Sequence, residues 1–211
     1  MPVPWRDPPA STWRSLRRAF VDLALAALFL AFALAHAKQL LQTHRSSHAI
    51  VLLVELAFAL FFLIRTPAVD TSRAPRDWLF ALCGTSAPLL LRPTRAGADV
   101  LAGDGLQILG ATGALLGILA LNRSVGIVPA RRALRSSGAY AVVRHPLYAS
   151  YALSWLGYLV SNRSWANVAV VAIGLAFQLA RVRAEERWLA RDAAYRAYMS
   201  RTRWRLVPFV Y

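Results

Sequence analysis

The chain alternates long apolar runs with short basic interruptions. The first run, about Ala19–Ala37, is almost entirely Ala, Leu and Phe; the second, about Ala49–Ile64, holds one acid, Glu55. A third, Asp77–Leu91, is shorter and broken by Gly84 and Pro88, so it fits a tilted span or a re-entrant segment. The fourth, about Val100–Leu121, is glycine-rich and opens on Asp99 and Asp104. Pro146–Val160 and Trp165–Ala180 are the fifth and sixth, separated by Ser161-Asn162-Arg163-Ser164. A helix needs ~20 apolar residues, roughly 17–25, to cross the hydrocarbon core of a bilayer. The pattern predicts an all-α, polytopic integral membrane protein of about six transmembrane helices.

The interruptions set the orientation. Taken in order, the seven non-spanning segments carry 4, 2, 3, 2, 5, 1 and 8 cationic residues, so alternate segments hold 20 and 5. Cytoplasmic loops are the ones enriched in Lys and Arg, which predicts both termini in the cytoplasm, with the plasma (inner) membrane as the expected location. The basic lead-in, with Trp5, Arg6, Pro8 and Pro9, has no short apolar segment followed by a small-residue cleavage site, so the first run is read as a retained helix.

Composition agrees: 57% of residues are hydrophobic and the mean hydropathy is +0.42, more apolar than a soluble domain. The formal charge of +15 comes from 24 Arg and one Lys against ten acids. Such a balance could suggest nucleic acid, but in a membrane protein arginines mark cytoplasmic loops and meet anionic lipid. No nucleic-acid partner is expected. The one cysteine, Cys83, lies in an apolar run, so there is no disulfide framework. No P-loop, serine elbow or Cys-x-x-Cys is present.

Candidate chemistry gathers at Arg144-His145-Pro146-Leu147-Tyr148, where a polar segment meets the fifth apolar run. Proline is welcome in the first turn of a helix, so an imidazole, a guanidinium and a phenol are placed at one helix N-terminus. The fifth and sixth runs, joined by about four residues, are expected to be antiparallel neighbours, which brings His145 beside Arg181–Glu186. Helix formers continue from Trp165 to about Met199, predicting one helix that projects past the membrane. Arg181 and Glu185, four apart, share a face; Glu185 and Glu186 also fit a solvated face pairing with Arg181, Arg183 and Arg187. Gly113-x-x-x-Gly117 fits small-residue helix packing better than a dinucleotide fingerprint, because it lies inside a span. Glu55 fits a functional group or a pairing with a neighbouring helix. His36, His44 and His48 are read as exposed loop residues rather than metal ligands; no metal is expected.

These elements as a set, namely Gly138-Ala139-Tyr140, Arg144 to Tyr148, Arg181…Glu185-Glu186…Leu189, Tyr195…Tyr198 and the closing Arg201-Thr202-Arg203-Trp204-Arg205-Leu206-Val207-Pro208-Phe209, resemble the isoprenylcysteine carboxyl methyltransferase family. That family belongs to a wider set of membrane methyltransferases that includes the phospholipid N-methyltransferases. The resemblance covers about residues 122–211 and implies two parts: N-terminal transmembrane helices in 1–121 and a methyltransferase core in 122–211. It implies S-adenosylmethionine, leaving as S-adenosylhomocysteine, in a cytoplasmic pocket formed by the last two helices, the preceding loop and the C-terminal tail. Cofactor contacts would fall on Arg132, Ala133, Leu134, Arg135, Tyr140, His145, Pro146, Leu147, Tyr148 and Glu185. Arg181 would hold the acceptor. Ser150 stands where the family often has glycine, and Asp192-Ala193-Ala194 where it usually has Phe-Gly.

The chemistry suits that cofactor. A sulfonium is attracted to aromatic faces by roughly 0.5–2 kcal/mol, and Tyr140 and Tyr148 are candidates. A carboxylate suits His145 and the Pro146 turn; an ammonium or ribose hydroxyls suit Glu185. The expected acceptor is a lipophilic molecule drawn from the membrane, an isoprenylcysteine-like or other lipidic carboxylate, which needs no general base. The alternatives are a phospholipid or small-molecule N- or S-acceptor, a sterol-reductase-like oxidoreductase using NADPH, and a non-catalytic lipid-binding scaffold.

Overall fold

The computed structural model describes residues 12–44, 46–94 and 101–211. Trp5, Arg6, Pro8 and Pro9 of the lead-in, and Asp99 and Val100 at the start of the fourth run, lie outside the described residues. The rest is mostly helical, and three helices are long and apolar enough to cross a membrane, within Leu16–Gln42, Leu101–Ser124 and Trp165–Leu189.

Helices α1 (Thr12–Thr43) and α2 (Ser46–Ile64) form a hairpin. Phe29 stacks on Phe58 and Phe62 at ring separations of 4.8 and 5.5 Å. At one end Arg65 Nε donates to Asp22 at 2.7 Å. Towards the other, His36 Nδ1 lies 3.0 Å from the Glu55 carboxylate. His36 is therefore not an exposed loop residue: it lies within α1 on the face turned to α2, where it partners Glu55, an ionisable group inside the second apolar run.

The third run is helix α3 (Pro75–Ser86), followed by a 3-10 turn over Ala87–Leu90. Pro88 removes a helical donor and ends the α-helix. Twelve residues at ~1.5 Å each give about 18 Å, short of the ~30 Å hydrocarbon core. The segment nevertheless travels from one end of the bundle to the other. Before it, β1 (Asp70–Thr71) pairs antiparallel with β2 (Ala130–Arg131). After it, the backbone N–H groups of Arg92 and Thr94 donate to Asn167 and Asn162, beside the turn that joins the fifth and sixth runs.

Helix α4 (Leu101–Leu121) packs antiparallel along α6 (Pro146–Ser161) on a seam of small residues. A Cβ at Gly110 would fall 2.6 Å from Ser154 N, and one at Gly103 2.9 Å from the Gly157 carbonyl. Gly113 faces Ser150, and Gly117 faces Leu147. Without side chains at these positions the two backbones approach closely, which is how helices associate where the surrounding solvent is as apolar as they are. Ser150, the departure noted in the motif, lies on this seam with its Oγ on the Pro146 carbonyl at 2.8 Å.

Helix α7 (Trp165–Leu189) packs mainly on α3 and touches α6 sparingly, although only three residues, Asn162-Arg163-Ser164, join α6 to α7. Its projected length is shorter than the sequence predicts. The helix stops at Leu189, and Asp192 caps a new one, α8 (Ala193–Arg201), by accepting from the Ala194 N–H. The break turns the chain back, so the tail reaches the segment before α6.

Candidate functional site

The turn before α6 is held by main-chain and side-chain bonds to the tail. A short helix, α5 (Ala139–Val142), leads in, and Tyr198 Oη donates to the Tyr140 carbonyl at 2.6 Å. The N–H groups of Arg144 and His145 donate to the carbonyls of Trp204 and Arg205, at 2.9 and 2.8 Å. Pro146 starts α6, and His145 stands at the N-cap without using its side chain as a cap. The imidazole is thus left to reach across to α7.

The two adjacent acids have separate jobs. Glu186 is buried, and its carboxylate receives Arg144 Nε at 2.6 Å and Arg205 Nε at 2.7 Å, with His145 Nε2 at 3.3 Å. Arg144 also donates to the carbonyls of Thr202 and Arg203, both at 2.8 Å. Glu186 is therefore a fastener between α7, the α6 turn and the tail. This corrects the expected surface pairing with Arg183 and Arg187, since both of those are exposed and neither is a partner of Glu186.

Glu185, one residue earlier, faces a different way. It accepts the Tyr148 hydroxyl and, at 3.3 Å, Arg181 Nε; His145 Nδ1 lies 3.9 Å away. Arg181 is buried and further donates to Thr85 Oγ1 at 3.2 Å and the Gly126 carbonyl at 3.4 Å. Its guanidinium lies 5.0 Å from the Tyr148 ring centre. One face of Tyr148 is thereby already occupied by a cation.

These groups line a single cavity of ≈ 1100 Å³. Of the expected cofactor residues, Arg132, Ala133, Leu134, Arg135, Tyr140, His145, Leu147, Tyr148 and Glu185 all border it, as does Arg181. Pro146 does not; it is buried behind them and shapes the helix start. The cavity continues from this polar end through an apolar stretch of Tyr151, Phe58, Phe62 and Phe29 and reaches a second polar group, His36, Glu55 and Gln107.

Electrostatics at the polar end favour an amphoteric ligand. Arg132 donates through Nε to the Thr66 carbonyl at 3.2 Å. Burial, with Arg65 nearby, lowers its pKa to about 10 despite the opposing pull of Asp22 and Glu185. A guanidinium does not lose its proton in a protein, so the shift signals a cation short of anionic company. Arg135 Nε is likewise buried without a hydrogen-bond partner. Burial pushes the Tyr140 phenol well up, with Tyr151 and Glu185 adding to it, so the ring stays neutral. Tyr195, also bordering the cavity, is raised by burial and by Glu186. The set offers donors for a carboxylate, one carboxylate for a donor, and neutral rings; a ligand carrying both signs of charge fits it.

Sequence reasoning missed Tyr151, one turn beyond Tyr148 on the same helix face, although its spacing was a usable signal. It also missed Arg144 and Arg205 as partners of Glu186, for which no local pattern exists. No curated protein matches the chain. The family model for phospholipid methyltransferases matches residues 99–196, the stretch from the start of α4 into α8 that carries both the glycine seam and the Arg144–Tyr148 and Arg181–Glu186 groups, and this match supports a membrane-associated methyltransferase acting on lipids.

Proposed function

We propose that the protein is an S-adenosylmethionine-dependent methyltransferase of the isoprenylcysteine carboxyl methyltransferase type, acting on a lipidic carboxylate. The observation that carries the reading is the position of Arg181, a buried cation where the polar end of the cavity meets its aromatic, apolar stretch. Bound among Arg132, Ala133, Leu134, Arg135, Tyr140, His145, Leu147, Tyr148 and Glu185, the cofactor supplies an electrophilic methyl group. Arg132 and Arg135 offer their unbalanced guanidinium charge to a carboxylate, and Glu185 accepts from an ammonium or hydroxyl. Tyr140 presents a neutral ring face. Arg181 orients the acceptor carboxylate, whose lipophilic body lies along Phe29, Phe58 and Phe62. An ionised carboxylate is nucleophilic without a base, so alignment supplies much of the acceleration.

The test uses the purified full chain, with [methyl-³H]S-adenosylmethionine and a membrane lipid extract. Titration calorimetry is expected to show binding of S-adenosylmethionine and S-adenosylhomocysteine but not NADPH. The label is expected in the lipid phase and, for a methyl ester, to be released as volatile methanol by mild alkali. Label that stays non-volatile after alkali would replace the carboxylate with an amine or thiol acceptor. NADPH binding without S-adenosylmethionine binding would overturn the methyltransferase.

We further place the chain in the membrane with six crossings and both termini cytoplasmic. Support comes from the third run, which travels between the end holding β1 and β2 and the end holding Asn162 and Asn167. In a Cys83→Ser background, Arg163→Cys is expected to react with an impermeant maleimide added outside cells, and Ser200→Cys only after lysis. Labelling of both from the same side would refute the topology.

A further inference from the structure

A second pocket lies outside the cavity described above, between the Asp70–Asp77 segment and the last turns of α7. It measures ≈ 500 Å³ and is bordered by Arg73, Arg76, Arg187, Arg191 and Trp188, together with Asp70 and Asp77. Each acid accepts one hydrogen bond within the protein, and Asp77 Oδ1 is left buried with Arg76 beside it. Asp70 accepts from the Thr71 N–H at 2.9 Å, and Asp77 from the Ser72 hydroxyl at 2.5 Å. The arginines are not so engaged. Arg73 and Arg187 make no hydrogen bond or ion pair among the described residues, Arg76 sits 3.7 Å from Asp77, and Arg191 lies over the Trp188 ring at 4.2 Å. All four are exposed.

The pocket sits where an apolar span ends. The span of α7 closes at Leu189, between Arg187 and Arg191. From the same rim the outer face of α3 runs away as Trp78, Leu79 and Leu82, which are 45%, 53% and 56% exposed. Guanidinium groups above an exposed aliphatic strip match a molecule with an anionic head and acyl chains. A soluble phosphate would use only the first half of that surface. We propose that this pocket binds the headgroup of an anionic phospholipid, with its chains along α3, separately from methyl transfer.

The test measures thermal stability of the full chain in a neutral detergent, titrated with dioctanoyl phosphatidylglycerol, dioctanoyl phosphatidylcholine or inorganic phosphate. Saturable stabilisation by phosphatidylglycerol is expected, and the Arg187→Gln/Arg191→Gln variant should bind it about 30-fold more weakly, two surface arginines' worth of attraction to anionic lipid. Arg73→Gln/Arg76→Gln, on the opposite wall, should weaken it similarly and serves if the first variant does not fold. S-adenosylmethionine binding should be unchanged in both. Equal stabilisation by phosphatidylcholine would show an apolar contact alone, and equal stabilisation by inorganic phosphate a free-anion site; either overturns the proposal, as does unchanged phosphatidylglycerol binding in the two variants.

Discussion

Replacing Glu186 with alanine is expected to lower the thermal midpoint of the detergent-solubilised protein by roughly 10 °C and to abolish S-adenosylmethionine binding with it. The side chains of Arg144 and Glu186 are only 5% and 6% exposed. Removing the carboxylate leaves Arg144 buried with carbonyl partners but no anion, an error that costs about 3–5 kcal/mol. For a chain of this size each kcal/mol moves the midpoint by about 2–4 °C. Arg205, more exposed, adds little by itself. Glu186→Gln, which keeps one acceptor oxygen, should fall between. Arg183→Ala is the control, since that exposed side chain is not among the groups that hold the carboxylate. A midpoint for Glu186→Ala within about 2 °C of the parent would mean that the tail is fastened some other way.

A second large effect is expected from Glu185→Gln, and here the fold should survive. The substitution weakens the acceptor for Tyr148 Oη and Arg181 Nε, and takes away the charge 3.9 Å from His145 Nδ1. Hydrogen bonds to charged groups contribute about 1.5–3 kcal/mol, so affinity for S-adenosylmethionine should drop about 10- to 100-fold. Tyr148→Phe, which loses one hydroxyl and keeps the ring, should lose less. Arg181→Lys should spare cofactor affinity more than turnover, because a lysine keeps the charge but not the planar fork that orients a carboxylate. Calorimetry on the purified variants reads the first quantity and label transfer the second. Full cofactor affinity in Glu185→Gln, with the thermal midpoint unchanged, would remove Glu185 from the site.

The helix list was legible from apolar runs because membrane helices must satisfy their backbone within the segment. The bounds of α2, α4 and α6 fall within a few residues of the runs that predict them. What the runs hide is set by contacts distant in sequence. Asp192 ends the long helix by capping the next one, a side-chain choice that propensities summed along Trp165–Met199 average away. The two acids at 185 and 186 look equivalent in sequence, yet they point about 100° apart around α7. One meets the tail and the other meets Tyr148. His36 was misread because only the fold brings α1 against Glu55. The short turn does make α7 an antiparallel neighbour of α6, with His145 beside Glu186 and Trp155 against Gly174, but it hides that α4 is the closer partner, because the glycines of α4 let it approach along the whole length.

That last arrangement divides the bundle into two slabs, α4 with α6 and α3 with α7, tied by the Asn162–Ser164 bend at one end and by the Glu186 ion pairs at the other. Because both ends are tied and Trp155 of α6 lies against Gly174 of α7 between them, strain at either tie is carried by both slabs at once. Loosening the Glu186 knot is therefore expected to disturb the packing of α6 on α7 as far as the bend.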